Sequence, residues 1–111
     1  MAYLEELAAQ VRDILRHAAD GAATEKKMFG GLSFLIGGNM ACGVHGDSLI
    51  IRLAPDTTQA ALAEPGARPF DMTGRPMTGW ILVDRPGYAE PGDFEKWISR
   101  GVAYAHSLPP K

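Results

Sequence analysis

Sulfur chemistry is scarce in this chain. One cysteine, Cys42, stands among 111 residues, which excludes an internal disulfide and leaves no CxxC or paired Cys/His spacing of the kind zinc sites use. Long hydrophobic runs are missing too: no apolar stretch approaches the about 18–20 residues a membrane-crossing helix needs, and no basic-then-apolar leader opens the sequence. Nor is there an excess of one charge. A formal net charge of −2 gives no overall field to draw in a polyanion, and no segment forms a basic arm. Direct nucleic-acid binding and membrane association are therefore not expected, and a reducing, cytoplasmic setting is.

What is present suffices for one domain spanning 1–111. A hydrophobic fraction of 46% at this length can fill a single core. From Ala2 to about Ala19, Leu4, Leu7, Ala8, Val11, Ile14, Leu15 and Ala18 recur at helical spacing, with Glu5, Glu6, Arg12, Asp13 and Arg16 on the other side; Asp20-Gly21 supplies the stop. The period then changes to two. Leu32, Phe34 and Ile36 form one alternating run, Met40 to Val44 a second, and Leu49, Ile51 and Leu53 a third. Gly37-Gly38-Asn39 and Gly46-Asp47 provide hairpin turns between them.

Pro55-Asp56-Thr57 opens a short helix that Pro65-Gly66 ends. Two more short runs, Arg68–Asp71 and Gly79–Val83, flank an irregular connection. Pro91 to about Leu108 then sets Phe94, Trp97, Ile98, Gly101, Val102 and Ala105 on one helical face. The order α-β-β-β-α-β-β-α predicts an α+β, two-layer fold, with an antiparallel sheet of about five strands and helices packed on it. Its unpaired edge or open face invites dimerisation.

No spacing argues for catalysis. In "KKMFGG", residues Lys26 to Gly31, the lysines precede the glycines and a strand follows. A phosphate loop would need the reverse order and a helix, so the stretch reads as a helix-to-strand hinge. Cys42 sits three residues before His45 in one strand, so alternation sends them to opposite faces; Cys42 shares its face with Met40 and Val44 as a buried small hydrophobe. His17, His45 and His106 show no metal-ligand spacing. Glu90, Asp93 and Glu95 suit the start of the last helix, where negative charge favours the dipole.

Arginine, methionine and aromatic residues do concentrate, between Arg68 and Tyr88. These types are enriched at protein–protein hot spots, although a core role for Phe70, Trp80 and a methionine would also account for them. The candidate interaction surface is Lys26, Lys27, Phe29, Arg52, Arg75, Trp80 and Arg85, with no catalytic or metal residue and no cofactor. The alternative is an anion-binding or enzymatic pocket near Arg75.

Met28-Phe29-Gly30-Gly31, Asn39-Met40, Asp47-x-Leu49-x-x-Arg52, Pro69-Phe70 and Met77-x-x-Trp80, with the Trp-containing last helix, resemble the N-terminal domain of the TfoX/Sxy family of bacterial competence regulators. The likeness runs from about Tyr3 to Leu108. It implies a fold similar to secretion chaperones, frequent dimerisation and a non-catalytic, regulatory role. Full-length members resemble co-activators that work with a cyclic-AMP-responsive transcription factor and carry a second, C-terminal helical domain; these 111 residues resemble a stand-alone N-terminal domain. The resemblance implies a homodimer and a transcription factor or other protein as partner.

Overall fold

The computed structural model describes residues 5–18, 23–28, 31–70 and 78–109. Helix α1 (Glu5–Ala18) buries Leu7, Ala8, Val11 and Leu15, the stripe its spacing prescribes. Glu5 and Glu6 in its first turn and Arg16 and His17 in its last complement the helix dipole. Strands β1 (Thr24–Met28), β2 (Gly31–Ile36), β3 (Asn39–His45) and β4 (Ser48–Arg52) follow as a meander. A 3-10 turn at Pro55–Thr57, helix α2 (Thr58–Leu62) and strands β5 (Ala67–Pro69) and β6 (Trp80–Val83) come next. Helices α3 (Arg85–Tyr88) and α4 (Pro91–Ser107) complete the order.

The sheet runs β1-β2-β3-β4-β6-β5, and every pairing is antiparallel. The mixed class, the antiparallel sheet and the helices packed on it are as expected, and the sheet has one strand beyond the expected five. The additional strand is β1. It carries no apolar alternation, and Thr24, Glu25, Lys26 and Lys27 are all exposed. Backbone pairing makes it a strand, from Thr24 against Leu35 to Met28 against Gly31. Arg12 of α1 adds a bidentate grip on the Glu25 carboxylate, at 2.6 and 2.9 Å. That hydrogen bond holds Glu25 below the usual carboxylate range.

Lys26 to Gly31 therefore begins inside a strand and leads into another, which corrects the helix-to-strand hinge. Backbone geometry does require a glycine at position 31. A β-carbon there would lie 2.1 Å from the Val44 carbonyl oxygen, so only glycine lets β2 approach β3 this closely. Phe29 and Gly30 lie outside the described residues.

A second correction concerns Cys42. Phe34 pairs with Cys42 but the next residue, Leu35, pairs with Met40. Ala41 is thus an extra residue in β3, a bulge that reverses the alternation. Cys42 and Val44 face the helices, while Met40 turns to the other side. The helix side holds the main core: Phe34, Val44, Leu49, Ile51, Ile81 and Val83 of the sheet against Val11 and Leu15 of α1 and Phe94, Trp97, Ile98 and Val102 of α4. Each fully buried side chain of this size contributes about 1.5–3 kcal/mol of hydrophobic stabilisation. The opposite side carries a smaller buried cluster of Met40, Ile50, Phe70 and Leu82, with Trp80 against it.

α4 sits unusually close to the bulge. A β-carbon on Gly101 would lie 2.2 Å from the Ala41 carbonyl oxygen, so the helix rests on bare backbone at this point. Beyond its C-terminus the Asn39 side-chain amide donates to the Pro109 carbonyl at 2.9 Å. The end of α4 is thereby fixed beside the start of β3.

Candidate functional site

Strands β4 and β6 run antiparallel, so one end of the pair carries Ser48 and Val83 and the other Arg52 and Trp80. At the first end the polar groups satisfy one another. The Ser48 hydroxyl donates to Asp84 Oδ1 at 2.6 Å, and Arg68 Nε of β5 donates to Oδ2 at 2.8 Å. The hydrogen bond from Arg68, then that from Ser48, hold the Asp84 carboxyl below its ordinary range. Close by in sequence, the Tyr88 hydroxyl donates to the Asp47 carbonyl. These bonds fasten the β3–β4 turn to the segment entering α3.

The other end is built differently. Arg52 is the direct partner of Trp80 in the ladder, and its guanidinium carbon lies 5.0 Å from the centroid of the Trp80 ring. The Tyr104 ring of α4 lies 5.5 Å from the same carbon. All three side chains are half-buried. Both distances are within cation–π range, which favours the charged guanidinium over the ring faces. The position of Tyr104 follows from Gly101, because the close seat on Ala41 brings the next turn of α4 down to the strand ends. Phe70 backs the indole, with ring centroids 5.9 Å apart at 43°.

Among the described residues Arg52 makes no ion pair and no hydrogen bond from its side chain. Arg100 gives the control within the same molecule. It too lies over an indole, 4.6 Å from the Trp97 ring, but it is also paired with Glu64 at 2.6 Å. Trp97 itself is buried and donates from Nε1 to the Gly87 carbonyl at 3.0 Å. Among the described residues, Arg100 is closed off by a carboxylate and Arg52 is not.

A family model, the TfoX N-terminal domain, matches residues 13–105. The chain belongs to the TfoX N-terminal domain family. Comparison with curated proteins and with solved structures finds no match. The TfoX match extends from the middle of α1 to the last turns of α4, so both ends of the β4–β6 pair, Tyr104 included, fall within it.

Of the residues expected to form an interaction surface on this TfoX domain, Arg52 and Trp80 meet. Lys26 and Lys27 lie on β1, three strands from β4, or about 14 Å at the usual strand spacing. They pair with Ser33 and Leu32, and alternation sends them to opposite faces of the sheet. Arg85 stands on α3 at the rim of a groove of about 600 Å³ between α1 and the α3–α4 corner, with Leu7, Ile14, Tyr88 and Phe94 beneath and Glu6, Asp13 and Glu95 around it. Phe29 and Arg75 lie outside the described residues, and so does the pocket expected near Arg75. Tyr104 was missed. Its only signal is an aromatic side chain in the last helix that falls off the buried stripe of Gly101, Val102 and Ala105.

The Cys42 thiol is fully buried, and desolvation pushes its pKa up to about 12, so it stays protonated and unreactive at neutral pH. No group of three His, Cys, Asp or Glu side chains among the described residues is placed to hold a metal ion. No helix among them is long and apolar enough to cross a membrane.

Proposed function

We propose that this TfoX domain is a cytoplasmic regulatory module that works by binding other proteins and performs no catalysis. The observation that carries the reading is the Arg52–Trp80–Tyr104 cluster: arginine, tryptophan and tyrosine are types found at interface hot spots, and here Arg52 lies against both rings and all three side chains are half-exposed. Family membership supports a regulatory role, with a transcription factor or another regulatory protein as partner. The protonated, buried Cys42 removes the most reactive side chain in the sequence from consideration.

The module acts as a homodimer. The β1 edge supports this, since its outer side has no neighbouring strand among the described residues and an unpaired edge is a template for a second chain. Affinity capture from the source cytoplasm, with wild type beside Trp80→Ala and Arg52→Glu, tests the interaction reading. Proteins retained by wild type and lost by both folded variants are expected; identical profiles contradict it. Light scattering tests the dimer, and a monomeric mass at micromolar concentration removes that part.

A further inference from the structure

The Arg52 end identifies the chemistry of what it binds. Four of the arginines, Arg12, Arg16, Arg68 and Arg100, have a carboxylate within the chain, at 2.6 to 3.0 Å. Arg52 has rings instead, 5.0 and 5.5 Å away. Cation–π attraction to the two rings restricts the guanidinium without being a hydrogen bond, and its N–H groups match a carboxylate with two parallel hydrogen bonds. Holding the fork in place beforehand lowers the entropy lost when an anion arrives. Next to it, the half-buried Trp80 offers apolar area backed by Phe70. Charge and apolar surface thus stand side by side, and the Arg100–Trp97–Glu64 arrangement shows in the same chain what such a pair looks like once a carboxylate is seated.

We propose that Arg52, Trp80 and Tyr104 form the seat for an acidic segment of a protein partner, in which a glutamate or aspartate carboxylate takes the Arg52 N–H donors and a neighbouring apolar side chain packs on the Trp80 indole. The inference rests on the interaction-module reading and specifies the partner's chemistry. The bound carboxylate occupies the position that Glu64 occupies at Arg100. A basic segment is rejected, because it would set like charges together and leave the guanidinium without a partner.

The test uses a minimal probe, 3-phenylpropionate, which joins one carboxylate to one ring. Its uncharged amide and inorganic phosphate are run beside it. Trp80 and Trp97 are the only two tryptophans, and Trp97 is buried, so the indole N–H resonance of Trp80 reports the site and that of Trp97 serves as internal control. For a ligand of this size an affinity of about 1–10 mM is expected. The Trp80 signal should shift saturably with the carboxylate while Trp97 stays still and the amide does nothing. Arg52→Gln should weaken binding at least about tenfold, and Arg52→Lys about threefold, since lysine keeps the charge but loses the planar fork. A Trp80 signal that does not move, or that moves equally with the amide, overturns the proposal. Phosphate binding more tightly than the carboxylate overturns it in favour of a phosphate site. Failure of the probe while partner capture stays Trp80-dependent removes the acidic chemistry and leaves the interaction module standing. Loss of capture with the probe still bound does the reverse.

Discussion

The two ends of the β4–β6 pair differ in where an arginine finds its counter-charge. At the Ser48 end Arg68 and Ser48 both donate to Asp84, so this arginine finds its counter-charge within the chain. At the Arg52 end the guanidinium lies over Trp80 and Tyr104 and meets no carboxylate among the described residues. The strands are the same, yet one end contributes to holding the fold while the other leaves its arginine without a carboxylate among the described residues. An internally satisfied arginine is a structural fastener. An arginine restrained by rings is a binding group whose removal should cost the fold little.

The largest effect should come from disturbing what brings Tyr104 to Arg52. A glycine in a helix interior normally gains about 1 kcal/mol on replacement by alanine. Gly101→Ala should instead lose about 3 kcal/mol, because the new β-carbon would press on the Ala41 carbonyl, which as backbone cannot step aside. Urea denaturation measures the loss, and the Tyr104 ring resonances should move with it.

Exchanging the two arginines sharpens the contrast. Arg68→Gln should cost about 0.5–1 kcal/mol, the pair being partly solvent-screened. Arg52→Gln should stay within about 0.5 kcal/mol of wild type.

Acid separates the ends again. Asp84 has a folded pKa below its unfolded value near 3.8. Its stabilisation is therefore fully present above that value and is lost as pH falls through it toward the folded pKa. The difference between wild type and Asp84→Asn, a few tenths to about 1 kcal/mol at neutral pH for a pair this exposed, should fade as the pH falls from about 5 through 3.8 toward the folded pKa. Glu25, depressed by Arg12, follows the same sign. The Arg52 end, which has no carboxylate among the described residues, should contribute no such slope.

Two serines extend the contrast to neutral groups. Ser48 donates to Asp84, whereas the fully buried Ser33 hydroxyl has no partner among the described residues. Ser48→Ala should lose about 1 kcal/mol and Ser33→Ala should be neutral or gain up to about 1 kcal/mol, because an unsatisfied buried hydroxyl is removed. Thermal melts of the two variants under one condition suffice.

Much of this fold could be read from local pattern, and the exceptions have physical causes. The buried face of α4, from Phe94 to Ala105, is legible because a long helix repeats its contact every turn. The hairpin turns before Asn39 and Ser48 are legible because tight turns demand particular residues. β1 is not, since an edge strand with solvent-facing side chains owes its form to hydrogen bonds with β2. The bulge at Ala41 is silent for a similar reason: one additional residue leaves the composition of β3 unchanged while turning Met40 away from Cys42. At the candidate site Arg52 and Trp80 were recognisable as residue types. Their meeting depends on β4–β6 register across 27 intervening positions, and Tyr104 joins them only through the docking of α4.

The measurement that tests the division of labour most directly is a crossed pair of experiments on Arg52→Gln and Arg68→Gln. Each variant is unfolded in urea and titrated with 3-phenylpropionate while the Trp80 indole resonance is followed. The expected result is a crossing: Arg52→Gln keeps its stability and loses the ligand, and Arg68→Gln loses stability and keeps it. Arg52→Gln unfolding as readily as Arg68→Gln, or binding the carboxylate as wild type does, would contradict the assignment of binding to one end of the strand pair and fastening to the other.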